Sequence, residues 1–156
     1  MVAPVIATVT EADLDALLPL MRGYCDFYAV APSDEALLAM SRALIADPAR
    51  EGLQLIARDA QGKAIAFATI FWSWSTSHAA RIGIMNDLFV EPAARGTGVA
   101  EALIRECVDR ARTRGAVVLA WQTALDNHRA QKVYDRIGGR RSQWLDYDLP
   151  AAEEAG

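Results

Sequence analysis

The stretch from Arg81 to Gly115 constrains the fold more than any other part of the chain. Arg81 to Val90 reads as a long apolar strand. It runs through Glu91-Pro92-Ala93-Ala94-Arg95-Gly96-Thr97-Gly98 into a helix from about Gly98 to Arg114. Val99, Leu103, Cys107 and Ala111 line one face of that helix. Arg105, Arg110, Arg112 and Arg114 gather in its later turns, as the macrodipole favours, and Gly115 stops it. Strand, glycine loop and amphipathic helix in that order call for an α/β arrangement.

The flanking sequence extends the same alternation. Pro4 to Val9 is a short edge strand, since Pro4 removes a ladder donor. Thr10-Glu11-Ala12-Asp13 resembles a capping box before a helix marked by Leu14, Leu17, Leu18 and Met21 and reaching about Cys25. Ser33-Asp34 starts a second helix, which Asp47-Pro48 ends. Leu53 to Arg58 and Ala64 to Trp74 form a hairpin across Asp59 to Lys63. Ala116 to Thr123 is a further strand, Asn127 caps a short helix that Gly138-Gly139 stops, and Ser142 to Leu149 is the last strand. Residues 1–150 are expected to make one domain, with 151–156 a frayed tail.

Composition narrows the function. The chain has 156 residues, a net charge of -4 and 53% hydrophobic residues, which fits one folded domain and excludes a disordered chain. Its acidity argues against nucleic acid as the main partner. No apolar run nears the ~18–20 residues needed to cross a bilayer, and the N-terminus lacks a signal peptide's basic start. Cys25 and Cys107 are the only cysteines, too few for a disulfide framework, and His78 and His128 show no metal-ligand spacing. A cytoplasmic protein without metal or membrane partner is expected.

Chemistry concentrates at Arg95-Gly96-Thr97-Gly98-Val99-Ala100. A helix start offers exposed N–H groups and a positive dipole end, and glycines let phosphate oxygens reach the backbone. Arg95 adds a cation at the rim. Neither a Walker A sequence nor a third dinucleotide glycine is present, so the loop reads as a phosphate cradle or as a plain chain reversal.

These residues match the signature Gln/Arg-x-x-Gly-x-Gly/Ala, and the chain resembles the GNAT family of N-acetyltransferases. The preceding Asp87-Leu88-Phe89-Val90 strand and the later Asn127-His128-Arg129-Ala130-Gln131-Lys132-Val133-Tyr134 block resemble the family in the same order. The resemblance implies a mixed, largely antiparallel sheet of six to seven strands flanked by about four helices, with acetyl-CoA as cosubstrate. It implies that the pyrophosphate rests on the amides of Arg95, Gly96, Gly98, Val99 and Ala100, with Thr97 nearby. It also implies that the pantetheine arm pairs with Leu88, Phe89 and Val90 where this strand splays from the next, and that Asn127 touches the arm. Locally, Asn127 is equally a helix cap.

Tyr134 resembles the family's general acid, the phenol that protonates the departing thiolate; without that match it reads as a packing residue. Asp87 interrupts an apolar strand, where an unpaired carboxylate is costly. It can take the amine's proton or hold its ammonium, or be satisfied structurally by a backbone N–H or Arg81. Several family members carry Glu one position earlier, where this chain has Asn86, and Glu91 is a weaker base candidate. Tyr24, Tyr28, Trp74 and Trp121 are candidate acceptor contacts, since aromatic faces beside an acid suit a cationic amine, though core packing accounts for many such rings. The Trp-Ser-Trp-Ser, Asp-Leu-Phe-Val and Trp121-Gln122-Thr123 segments most resemble a branch that includes fungal acetyltransferases of D-amino acids, polyamines and histone-like peptides. The expected acceptor is a small-molecule amine, and the resemblance suggests a homodimer. A peptide lysine acetyltransferase and a non-catalytic acyl-CoA sensor are the alternatives.

Overall fold

The computed structural model describes residues 2–152. The chain divides between Ala124 and Leu125 into two compact units. The first unit holds β1 (Val5–Thr8), a 3-10 turn (Glu11–Asp13), α1 (Leu14–Phe27), α2 (Asp34–Ala46), β2 (Gly52–Arg58), β3 (Ala64–Ser75) and β4 (Ala80–Val90). It continues with a second 3-10 turn (Pro92–Ala94), α3 (Val99–Thr113) and β5 (Leu119–Ala120). The second unit holds α4 (His128–Arg136).

The strands lie in chain order, β1-β2-β3-β4-β5, antiparallel except for the parallel β4–β5 pair. The sheet therefore has five strands, not six to seven. Residues 142–149 are not part of it, because strand preference in a segment such as Trp144–Leu149 expresses fit to a neighbouring pleated surface and does not by itself form a strand. β5 is also shorter than the expected Ala116–Thr123, since it pairs with β4 at Gly83–Leu119 and Ile84–Ala120 and then ends. Of the expected tail, 151 and 152 have no regular structure, and 153–156 lie outside the described residues.

Two helical layers follow from the sheet's alternation of faces. On one face, Leu14, Leu17, Leu20 and Met21 of α1 pack with Val9, Ile56 and Phe67, with Tyr24 and Phe89 at the margin of that cluster. α1 comes down closely here. A Cβ on Gly23 would stand 2.5 Å from the Phe89 ring. α3 packs on β2, β3 and β4 from the other face through Leu103, Ile104, Cys107 and Ala111, all buried. Each fully buried Leu or Ile contributes about 1.5–3 kcal/mol relative to exposure. The capping acid read from sequence is in place, with the Asp13 carboxylate accepting from the Thr10 N–H at 2.9 Å and from Arg58. The Ser33 hydroxyl accepts from Ala36 N–H at the start of α2. Among the described residues no helix is long and apolar enough to cross a membrane.

Candidate active site

β4 changes character halfway along. Its first half pairs with β3 on one side and β5 on the other, whereas from Met85 onward its pairing among the described residues is with β3 alone. The edge from Asn86 to Val90 is thereby released from β5. It leads through Pro92–Ala94 into α3, whose cap is Gly98. Gly96 and Gly98 have φ of +78° and +88°, a region that other L-residues avoid, and an added Cβ at either would meet nothing within 4 Å. The glycines therefore serve the backbone turn and not a crowded contact, and α3 begins directly after them. The Thr97 hydroxyl closes the loop by donating to Ala94 O at 2.6 Å. Arg95 folds back, donating from Nε to Val90 O at 2.9 Å with its guanidinium 5.8 Å over the Phe89 ring.

A one-residue irregularity sets the second half of the site. β3 and β4 pair in one register up to Ile70–Met85 and in the next from Thr69–Asp87, so Asn86 is an extra residue on β4. The bulge places Met85 and Asp87, two positions apart, on opposite faces. Asp87 consequently points to the α1 face, where it is 7% exposed. Burial pushes its carboxyl above the ordinary value, and hydrogen bonding from Thr69, Tyr24 and Asn86 pulls it back. Asn86 is exposed and donates from Nδ2 to Asp87 Oδ1 at 2.9 Å. The Tyr24 hydroxyl is pushed well above its ordinary value, first by burial and then by the Asp87 charge, and so stays protonated beside it.

Tyr24 stands in an aromatic cluster. Its ring centroid lies 4.9 Å from Tyr28 and 6.2 Å from Phe67, and Phe67 lies 6.4 Å from Phe89. The structure thus brings Tyr24, Tyr28 and Asp87 to one region, as the sequence suggested, with no Arg81 partner for the acid. Trp74 is placed elsewhere. It lies five residues along β3 from Thr69, roughly 16 Å at strand rise, and on the α3 face. It is 67% exposed and stacked by the Arg81 guanidinium at 4.5 Å. Trp72, on the same face, is buried with its indole donating to Pro48 O. Glu91 is ion-paired with Lys63 at 2.9 Å. Trp121 is half-buried just after β5.

In the second unit, the Asn127 side chain accepts from Ala130 N–H, so the cap reading holds. Tyr134 is half-buried on α4, and its carbonyl accepts from Gly139 N–H at 2.8 Å. Two residues that the sequence did not single out lie in register with Asp87. Thr69 faces it from β3, and Gln54 on β2 donates from Nε2 to Thr69 Oγ1 at 3.2 Å. Their signal was a polar residue set within the apolar run of each of two strands.

Comparison with known proteins agrees with this architecture. Residues 16–139 match the Acetyltransferase (GNAT) family. The chain is 33% identical over 133 residues to the uncharacterized N-acetyltransferase YhfO of Bacillus subtilis, covering 85% of this chain and 87% of that protein. It is 31% identical over 143 residues to the D-amino-acid N-acetyltransferase HPA3 of Saccharomyces cerevisiae, covering 90% and 88%. Its fold is that of the aminoglycoside N-acetyltransferase AAC(6')-Iy, solved with the bisubstrate analogue CoA-S-monomethyl-acetylneamine. The TM-score is 0.84 at 21% identity, over 97% of this chain and 100% of that one. The family match spans most of the chain and includes the released β4 edge and the glycine-capped helix, so this chain belongs to the acetyltransferase (GNAT) family and is an acyltransferase.

Proposed function

We propose that the protein transfers an acetyl group from acetyl-CoA to a primary amine of a small molecule, directly and within a ternary complex, with residues 1–150 acting as one catalytic domain. The observation that carries the cosubstrate is the released edge of β4 running into a helix start with two positive-φ glycines and open space around them. Backbone groups of Leu88, Phe89 and Val90 suit an arm that pairs like an added strand. The amides of Arg95, Gly96, Gly98, Val99 and Ala100 suit a pyrophosphate, with Thr97 closing the loop behind them. Asn127 is assigned to the arm as well as to its cap.

On the acceptor side, the buried carboxylate of Asp87 beside Tyr24 and Tyr28 suits an ammonium. Asp87 binds it and takes its proton, and the freed nitrogen lone pair attacks the thioester carbonyl carbon. A C–N bond forms, the tetrahedral intermediate collapses, and the C–S bond breaks. Tyr134 then gives its phenolic proton to the thiolate, and the second proton of the attacking nitrogen passes to the phenolate as the neutral amide forms, which restores Tyr134. A free phenol (about 10) is a weaker acid than a thiol (about 8.5), so the phenolic proton follows C–S cleavage instead of driving it. Direct transfer is supported by the state of Cys107, which is fully buried and whose thiol is pushed up to about 12 by burial and then by Glu106. The D-amino-acid acetyltransferase relative and the neamine-containing analogue bound by a protein of the same fold support a small-molecule acceptor.

The test is thiol release from acetyl-CoA across polyamines, D- and L-amino acids, aminoglycosides and a lysine peptide. Stimulation by one small-amine class is expected. Stimulation by the peptide alone would replace the acceptor assignment, and silence with acetyl-CoA still bound would favour a sensor. Tyr134→Phe is expected to lower kcat about 10–100-fold with acetyl-CoA affinity unchanged. Equal turnover would remove Tyr134 from the mechanism.

A further inference from the structure

Gln54 on β2, Thr69 on β3 and Asp87 on β4 are successive register partners, so they form a straight polar row across three neighbouring strands on the α1 face. They are 2%, 0% and 7% exposed. Their neighbours on that face, Met21, Ile56 and Phe67, are apolar and buried. A polar group buried in such surroundings is unfavourable unless it is hydrogen-bonded, and the sheet has no need of three for its own cohesion. We propose that Gln54 and Thr69 are positioning residues for the acyl transfer. The Gln54 amide turns the Thr69 hydroxyl proton toward Asp87, and that hydroxyl holds the Asp87 carboxylate ready for the acceptor ammonium. This rests on the reading of Asp87 given above.

The direction of the row follows from donor inventory. A threonine hydroxyl has one proton and two lone pairs. Because Gln54 Nε2 donates to Thr69 Oγ1 at 3.2 Å, the hydroxyl's own proton is left for Asp87. Gln54 is held in turn by Met21, whose sulfur lies 3.7 Å from Nε2 and also accepts from the buried Ser41 hydroxyl. The other end of the amide, Oε1, is buried without a hydrogen-bond partner. An amide turned over would present Oε1 to Thr69 and draw the proton away from Asp87, so its orientation decides what the row does. The groups that face Asp87 are Tyr24 from α1, Thr69 from β3 and Asn86 from β4. Of these Tyr24 titrates, with Tyr28 and Cys25 of α1 beside it.

The row can be tested without knowing the acceptor. In the full-length protein, the Asp87 carboxyl is followed by carbon-13 NMR titration and assigned by its loss in Asp87→Asn. Removing a donor to the carboxylate disfavours the charged form. Thr69→Val is therefore expected to raise the proton affinity of Asp87 about tenfold, Thr69→Ser to leave it within about twofold, and Gln54→Met to raise it by less than Thr69→Val. With spermidine and a D-amino acid as probe acceptors, the acid limb of kcat/KM moves to higher pH in Thr69→Val, and activity recovers in alkali. An unmoved Asp87 titration in Thr69→Val overturns the proposal, as does a loss of activity uniform across pH. A lowered proton affinity in Gln54→Met overturns the assigned amide direction. If Asp87→Asn keeps full turnover, the role of Asp87 falls and the catalytic part of the proposal falls with it. If Asp87→Asn is inactive while Thr69→Val shifts nothing, the row alone is refuted.

Discussion

The glycine loop before α3 and Asp87 belong to one strand and the turn that follows it, yet the loop and the polar row that ends at Asp87 are built on opposite principles. At Gly96 and Gly98 the working groups are backbone amides, the side chains are absent, and the space around each Cβ position is empty. At Asp87 the working groups are side chains, all packed, each depending on a neighbour on another strand. The first arrangement suits an anion through the backbone donors of a helix start. The second holds a charge by desolvating it and then partly compensating the burial with hydrogen bonds. Substitutions in the loop should therefore act on cosubstrate affinity, and substitutions in the row on the chemical step.

The largest expected effect lies in the row. Asp87→Asn should lower kcat/KM for the amine by about 10²–10⁴, the range for loss of a positioned acid–base group, with acetyl-CoA affinity within about twofold. Calorimetric titration of acetyl-CoA beside steady-state kinetics checks both. An equal loss in affinity would show that the two regions are one site energetically, and the contrast between them would fail. A smaller effect is expected in the loop. Gly98→Val forces a β-branched residue to a φ of +88°, where L-residues are disfavoured by about 1–2 kcal/mol, and crowds the helix start. Acetyl-CoA affinity should fall at least about tenfold, with kcat at saturation nearly intact. A collapse in kcat at unchanged affinity would reverse the assignment.

The same contrast explains what could be read from the chain. The loop is local: two glycines, a preceding strand and a following amphipathic period are contiguous, so its geometry and family resemblance were both visible. The row depends on register, and two single-residue shifts conceal it. Counting from the Arg58–Ala64 pair at the β2–β3 turn sets Gln54 opposite Ala68. The irregularity beyond Ala57 moves it to Thr69. Counting from Ser75–Ala80 sets Asp87 opposite Ala68, and the extra Asn86 moves it to Thr69. A one-residue slip changes the face of every side chain beyond it. The place of Trp74 was hidden for a related reason. Its aromatic face suggested a contact beside the acid, but alternation puts it on the α3 face, near the far end of the hairpin. The expected sixth strand relied on composition, which does not name a partner.

The smallest effect offers the sharpest separation, because it concerns stability and needs no substrate. Asp87 titrates above the ordinary carboxylate value, chiefly from burial. The folded state therefore binds its proton more tightly than the unfolded chain does. The stability this provides is fully present below the ordinary value and is lost as pH rises through the raised one. Asp87→Asn has no such titration. In denaturant unfolding from about pH 3 to about pH 8, wild type should lose stability relative to Asp87→Asn as pH rises. Gly98→Val, whose penalty is backbone strain in open space, should differ from wild type by a constant amount over the same range. A constant difference for Asp87→Asn as well would mean that the carboxylate is as well solvated in the folded protein as in the unfolded chain, and the distinction between a buried row and an open loop would be lost.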